Sequence, residues 1–328
     1  MANVHKALVV GINYYDKGSP LFGCVNDAIA MQEVLSTNHD ESANFDVELL
    51  LAGDASERVV KRKLRDKIKD LFSGESDIAL FYFAGHGYIA ETGGYLIASD
   101  SDDGEDGIPL SELLQYADGS KAKNRVIILD SCHSGIAGAT SINEAVAQVK
   151  EGTTILTASS AEQYADEHNG SGVFTTLLVD ALQGAAANLV GDVSPGAVYA
   201  HIDQSLSSWE QRPVFKTNIK RFVSLRTAAS PFTIKELKRL KEFFKAPDAE
   251  FQLDPSFEPR DEGRTSDMPP ADAENNQKFA LLQKYNRAGL VVPGGGAQHM
   301  WNAAMESKTC KLTILGKHYL SLAVKNRI

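Results

Sequence analysis

The chain has 328 residues, 43% of them apolar and 23% charged. That is the balance of a folded globular protein and excludes a disordered or fibrous one. No run of 18 or more apolar residues occurs, so no helical membrane span is expected, and three cysteines (Cys24, Cys132, Cys310) are too few and too odd for a disulfide framework. The net charge of −10 is uneven: residues 1–229 carry −13 and the rest +3, so the acidic part argues against a nucleic-acid substrate and is compatible with a cationic one, with solubility as an equal reading.

Met1 to Lys6 lacks the layout of a signal peptide, which with the free cysteines points to a reducing cytoplasm. The first strand is expected almost at once, at 6–12, leaving no room for an N-terminal adaptor. Helical spacing follows at 26–36, a strand at 46–51, and a charged amphipathic helix at 56–72 with Val59, Val60, Leu64, Ile68 and Leu71 inward. Continuous apolar runs at 77–83, 124–130 and 153–157 read as strands buried on both faces. Helices are expected at 173–182 and 194–206, and closing strands at 214–215 and 221–225. Strands alternating with helices imply crossover units, hence an α/β class and a mainly parallel sheet covered on both sides. This first domain ends near Ala229. A basic amphipathic helix is expected at 230–246, then an exposed acidic linker with several prolines at 247–276. A small, mostly helical basic module follows at 277–328, with helices to about Arg287, at 298–305 and at 315–324.

In open parallel sheets the chemistry gathers at the carboxyl ends of the strands. Two strands here end in unusual residues, Leu80-Phe-Tyr-Phe-Ala-Gly-His-Gly87 and Val126-Ile-Ile-Leu-Asp-Ser-Cys-His-Ser-Gly135. An imidazole bracketed by Gly85 and Gly87 sits where backbone can approach a substrate closely. A cysteine just past a buried strand can be a nucleophile if a neighbouring imidazole lowers its pKa. Either residue alone reads more simply as inert core. Both together at strand ends favour His86 and Cys132 as a catalytic pair. His133, His168 and His201 read as bystanders, no Cys/His group has zinc spacing, and no Walker-type phosphate loop is present.

The segments Phe81 to Gly87 and Asp130 to Gly135 resemble the His and Cys signatures of the caspase-like cysteine peptidases, in the form found in metacaspases and their bacterial relatives. Leu21-Phe-Gly-Cys-Val-Asn-Asp-Ala28, Thr157 to Ala161, Gly172-Val-Phe-Thr175 and Gln211 to Val214 resemble further landmarks of that family, in its order, over about 6–225. The resemblance implies a caspase-like three-layer α/β sandwich and an endopeptidase with His86 and Cys132 as its dyad. Backbone N–H groups of Gly87 and Cys132 would form the oxyanion hole. It also implies that Asp27 and Asp130, with Cys24 beside them, line a pocket that binds Arg or Lys of a protein substrate. Competing readings make Asp27 a helix N-terminal charge and Asp130 a turn cap. Ala84 stands where many metacaspases carry a serine that shapes this pocket, which keeps a non-basic specificity open. A catalytically silent scaffold is a third reading, against which the intact dyad argues.

Some metacaspases use calcium, for which the loop holding Asp100, Asp102, Asp103, Glu105 and Asp106 is the candidate. It lacks an EF-hand pattern, and a solvated loop is the favoured reading. Arg260 and Arg264, in the expected linker, and Lys150 are candidate self-cleavage positions. Leu312 to Leu320 resembles the end of winged-helix modules, and the basic 277–328 segment could bind nucleic acid, a partner protein or the acidic domain, with docking of a regulatory partner or the acidic domain expected. A role in bacterial stress or defence rests on family analogy alone.

Overall fold

The computed structural model describes residues 4–133, 149–158, 172–206 and 213–328, with the backbone alone at Cys132 and His133. The chain divides into two compact units, Met1–Ser230 and Pro231–Ile328.

The first unit is built on one mixed sheet. Its strands are β1 (His5–Ile12), β2 (Asp46–Ala52), β3 (Ile78–Ala90), β6 (Asn124–His133), β7 (Thr153–Thr157) and β9 (Val214–Asn218), in the spatial order β2-β1-β3-β6-β7-β9. All neighbours are parallel except the last pair, in which β9 runs antiparallel to β7. Two short strands, β4 (Gly93–Leu96) and β5 (Ile108–Pro109), extend the far end of β3. The expected parallel α/β sheet is therefore present.

Side-chain alternation divides the core into two layers. Leu8, Val10, Ile12, Phe81, Phe83, Ile127 and Leu129 point to one face. There they meet α2 (Lys61–Ser73) and α3 (Leu110–Gly119). Ala7, Val9, Leu80, Tyr82, Ala84, Val126 and Ile128 point to the other. That face carries α1 (Cys24–Ser36), α4 (Val173–Asp180) and α5 (Pro195–Ser205). Burying each leucine, isoleucine, valine or phenylalanine among these contributes roughly 1.5–3 kcal/mol, which is why the central runs are apolar without alternation. A small antiparallel pair, β8 (Asp192–Val193) with β10 (Arg226–Thr227), lies off the main sheet.

Three local expectations shift. The helix expected from residue 56 starts at Lys61, because Val59 is drawn into the core with its N–H on Ser99 Oγ. Strand β3 continues past the glycines to Ala90, paired with β4 and β6. The strand expected at 221–225 is irregular chain, with Val223 and Leu225 buried in the core.

The second unit combines helices with an antiparallel sheet of order β11-β13-β12, made of β11 (Glu250–Gln252), β12 (Val291–Pro293) and β13 (Thr309–Leu312). The basic helix expected at 230–246 is two short ones, α6 (Ile234–Lys238) and α7 (Leu240–Phe243). A capping box of Thr233 and Glu236 starts the first. The helices α8 (Ala273–Arg287), α9 (Met300–Met305) and α10 (Ile314–Val324) complete the unit. Of the linker expected at 247–276, the part from Glu250 to Glu258 is instead packed into this core, while 259–272 is largely exposed irregular chain. Phe251 and Phe257 stack edge-on at 5.8 Å, Phe257 meets Phe279 at 6.4 Å, and Leu253 is wholly buried. The acidic, proline-rich composition hid these few apolar anchors.

Candidate active site

The site grows from the carboxyl ends of β3 and β6. Their parallel register sets Ala84 beside Asp130, His86 beside Cys132 and Gly87 beside His133. The backbone of His86 is held on both sides: its N–H donates to the Tyr15 hydroxyl at 2.7 Å, and its carbonyl accepts from the Ile97 N–H at 3.0 Å. Gly85 makes the first contact feasible, because a Cβ there would lie 2.7 Å from the Tyr15 oxygen. The Tyr15 ring also flanks the imidazole, with centroids 4.6 Å apart.

The imidazole itself is oriented by the chain after β1. Its Nε2 lies 2.8 Å from the Ser19 carbonyl oxygen. A carbonyl can only accept, so Nε2 carries the proton and Nδ1 keeps its lone pair. That Nδ1 is buried and has no hydrogen-bond partner among the described residues. Burial lowers the His86 pKa below the usual 6.5, opposed in part by the Ser19 contact, which keeps the ring in its neutral, proton-accepting form near neutrality.

Asp27 and Asp130 come together at the amino end of α4, although residue 27 is on α1 and residue 130 on β6. The Gly172 N–H donates to both oxygens of Asp27, at 3.1 and 3.2 Å. The Thr175 hydroxyl donates to Asp130 Oδ2 at 2.6 Å. A Cβ on Gly172 would lie 3.2 Å from Asp130 Oδ2 and 3.3 Å from Asp27 Oδ2, so the two carboxylates converge on one point from which a side chain is absent. Asp27 is 3% exposed. Burial pushes the Asp130 carboxyl up to about 6, while hydrogen bonds from Thr175 pull it back down. Behind Thr175, its oxygen lies 2.5 Å from the hydroxyl of Tyr82 on β3. Cys24, at the start of α1, is partly exposed, and Ala84 is buried in the apolar layer.

The other candidates are dispersed. Asp102 and Asp106 pair with Lys17 and Lys61, each at 2.6 Å. Asp100 accepts the Lys61 N–H, Asp103 the Asp106 N–H, and Glu105 the Thr92 hydroxyl. Among the described residues no group of three His, Cys, Asp or Glu side chains could hold a metal ion. Arg260 is exposed. The Arg264 guanidinium is only 10% exposed and donates to the carbonyls of Pro255, Glu258 and Pro269. Lys150 is exposed beside Asp118. His201 contacts Asp180, and His168 lies outside the described residues. Burial pushes the Cys310 thiol up to about 12, which keeps it protonated and inert.

Sequence reasoning missed Tyr15, the Ser19 carbonyl, Tyr82 and Thr175. Tyr82 left a readable sign: a hydroxyl within a strand otherwise apolar must find a buried partner. A backbone carbonyl leaves none.

The caspase-domain family model matches residues 4–223. Metacaspase-8 of Arabidopsis thaliana is 31% identical over 148 residues, covering 40% of this chain and 37% of the relative. Metacaspase-1 of Meyerozyma guilliermondii is 28% identical over 158 residues, covering 40% and 35% respectively. The chain thus aligns with little more than a third of those relatives' length. Pro-Sf-caspase-1 superposes with a TM-score of 0.49 at 13% identity, over 68% of this chain and 94% of that one. Among the described residues no helix is long and apolar enough to cross a membrane.

Proposed function

The chain belongs to the caspase family, and from that premise we propose that it is a cysteine endopeptidase cutting protein substrates after Arg or Lys. The observation that carries the reading is the β3–β6 register, which sets His86 opposite Cys132 just past the apolar runs, next to a converging pair of acids.

The mechanism follows from the groups present. With Nε2 engaged by Ser19, Nδ1 of His86 accepts the Cys132 thiol proton. The thiolate attacks the scissile carbonyl carbon, and the carbonyl electron pair moves onto oxygen. Backbone N–H groups of Gly87 and Cys132 stabilise that oxyanion, a contribution of roughly 3 kcal/mol for each donor. The imidazolium then gives its proton to the leaving amine, and water hydrolyses the thioester. Asp27 and Asp130 would receive the basic side chain: Arg through two parallel hydrogen bonds, Lys as a point charge. A carboxylate offers about four lone-pair sites, so the Thr175 contact leaves Asp130 acceptor capacity for a ligand.

A fluorogenic peptide panel, with Cys132→Ala as control, tests the reading. Activity on Arg or Lys peptides that disappears in the variant supports it. Activity confined to other residues would retire the acid pair and keep the dyad, and Ala84 beside Asp130 is the feature such a result would point to. Silence with and without added calcium would favour a scaffold. Self-cleavage, if it accompanies activity, is expected after exposed Arg260 or Lys150 in preference to Arg264, whose guanidinium is engaged by three carbonyls. Both positions fall within a compact unit, Lys150 in the first and Arg260 in the second, and a reducing cytoplasm would preserve the thiol.

A further inference from the structure

We propose that Tyr82 and Thr175 are positioning residues for the specificity site, forming a two-hydroxyl relay that fixes the orientation and favours the charged form of Asp130. The inference rests on the reading of Asp130 as a specificity acid.

Both residues are buried, Tyr82 at 0% and Thr175 at 1% exposure. The Thr175 hydroxyl has one proton, and it is given to Asp130 Oδ2 at 2.6 Å. An ionised carboxylate can only accept. The Thr175 oxygen must therefore accept from Tyr82, whose hydroxyl lies 2.5 Å away. While Asp130 is charged the relay has a single direction, Tyr82 to Thr175 to Asp130, and each bond polarises the next. Protonation of Asp130 removes that constraint.

Packing does not explain the tyrosine. Its neighbours on the same face of β3, Leu80 and Ala84, belong to the apolar layer, where phenylalanine would fill the space without burying a hydroxyl. A buried hydroxyl is costly unless it is hydrogen-bonded. Among the described residues, the titratable groups around the pair are Asp27 and Cys24 from α1 and Asp130 from β6, while α4 contributes the hydroxyl of Thr175. The groups that oppose the effect of burial on Asp130 are the hydroxyl and backbone N–H of Thr175. The charge on which a cationic side chain would depend is thus held by one threonine, and that threonine's proton is directed by Tyr82.

The test uses the full chain with Thr175→Val, Thr175→Ser and Tyr82→Phe. The Asp130 carboxyl is titrated by NMR with 13C-labelled aspartate in the Cys132→Ala background, and Asp130→Asn identifies its signal. Kinetics on an Arg peptide are measured in the otherwise wild-type background. The midpoint is expected to rise in Thr175→Val, to rise less in Tyr82→Phe, and to return in Thr175→Ser. KM should rise about 5- to 10-fold in the valine variant with kcat within about 2-fold, the signature of lost substrate binding. An unmoved midpoint in Thr175→Val overturns the proposal, and so does a moved midpoint with unchanged KM. A wild-type enzyme without basic preference would retire the specificity reading by itself. The titration alone would then decide the relay.

Discussion

A carboxyl held at about 6 makes the proposed preference for basic residues pH-dependent within an accessible range. The perturbation is acidification from pH 7.5 to pH 5. With a pKa of about 6, Asp130 is roughly 97% ionised at the first and roughly 9% at the second, a tenfold loss of the charged form. Activity alone would not isolate this, because His86 titrates too. The assay is therefore a ratio: kcat/KM for a peptide ending in Arg over that for the same peptide ending in citrulline, which keeps the shape and lacks the charge. Both substrates use the same dyad, so its titration divides out, and kcat/KM reports groups of the free enzyme. The ratio should fall about 10-fold between the two pH values. A ratio that stays flat from pH 8 to pH 5, or one that falls equally in Asp130→Asn, refutes the argument.

The same group has a stability signature of definite sign. Its folded pKa lies above the unfolded 3.8, so the folded state binds this proton more tightly. It therefore contributes stability at low pH that is lost as pH rises from about 4 to about 6, at most ~3 kcal/mol. Asp130→Asn should accordingly raise the melting temperature at pH 7.5 while weakening Arg recognition, a trade of stability for function.

Gly172→Ala places a methyl 3.2 Å and 3.3 Å from the two carboxylates at a position whose φ of −70° any residue tolerates. KM for Arg peptides should rise about 10-fold or more with little change in melting temperature, a split that calorimetry and steady-state kinetics read directly. Tyr15→Phe removes the acceptor of the His86 N–H, which costs about 1–3 kcal/mol if that donor stays unpaired. Thermal melts should show a drop of a few degrees, and kcat should fall on Arg and citrulline peptides alike. Arg264→Ala leaves the carbonyls of Pro255, Glu258 and Pro269 without their shared donor. Limited trypsin digestion followed by mass spectrometry should then show faster nicking after Arg260 than in wild type, and equal rates would remove the latch role of Arg264.

The sheet was legible because its central strands are buried on both faces, so Leu80 to Phe83 and Val126 to Leu129 had to be continuous apolar runs. That His86 and Cys132 share a register was legible because each closely follows such a run. Contacts that depend on chain return were not. Tyr82 meets Thr175 across 93 positions, Asp27 meets Gly172 across 145, and His86 meets the Ser19 carbonyl across 67. No local pattern encodes those distances. The segment 247–276 misled for a different reason. Composition averages over a window, whereas Phe251, Leu253 and Phe257 anchor the strand and turn one by one.

The acids show how two readings of one residue can coincide. Asp27 was open to interpretation as a helix-terminal charge and Asp130 as a turn cap, each set against a role in specificity. Asp27 does lie in the first turn of its own helix, yet its carboxylate accepts from Gly172 at the start of a different one, where Asp130 accepts from Thr175. Capping α4 is what brings the two charges together. The positive end of that helix offsets part of their repulsion, and the Thr175 contact leaves Asp130 acceptor capacity. If capping were their whole role, asparagine at either position would preserve it, since its carbonyl oxygen accepts the same bonds. Loss of Arg cleavage in Asp27→Asn or Asp130→Asn, with the fold intact, therefore separates the charge from the cap.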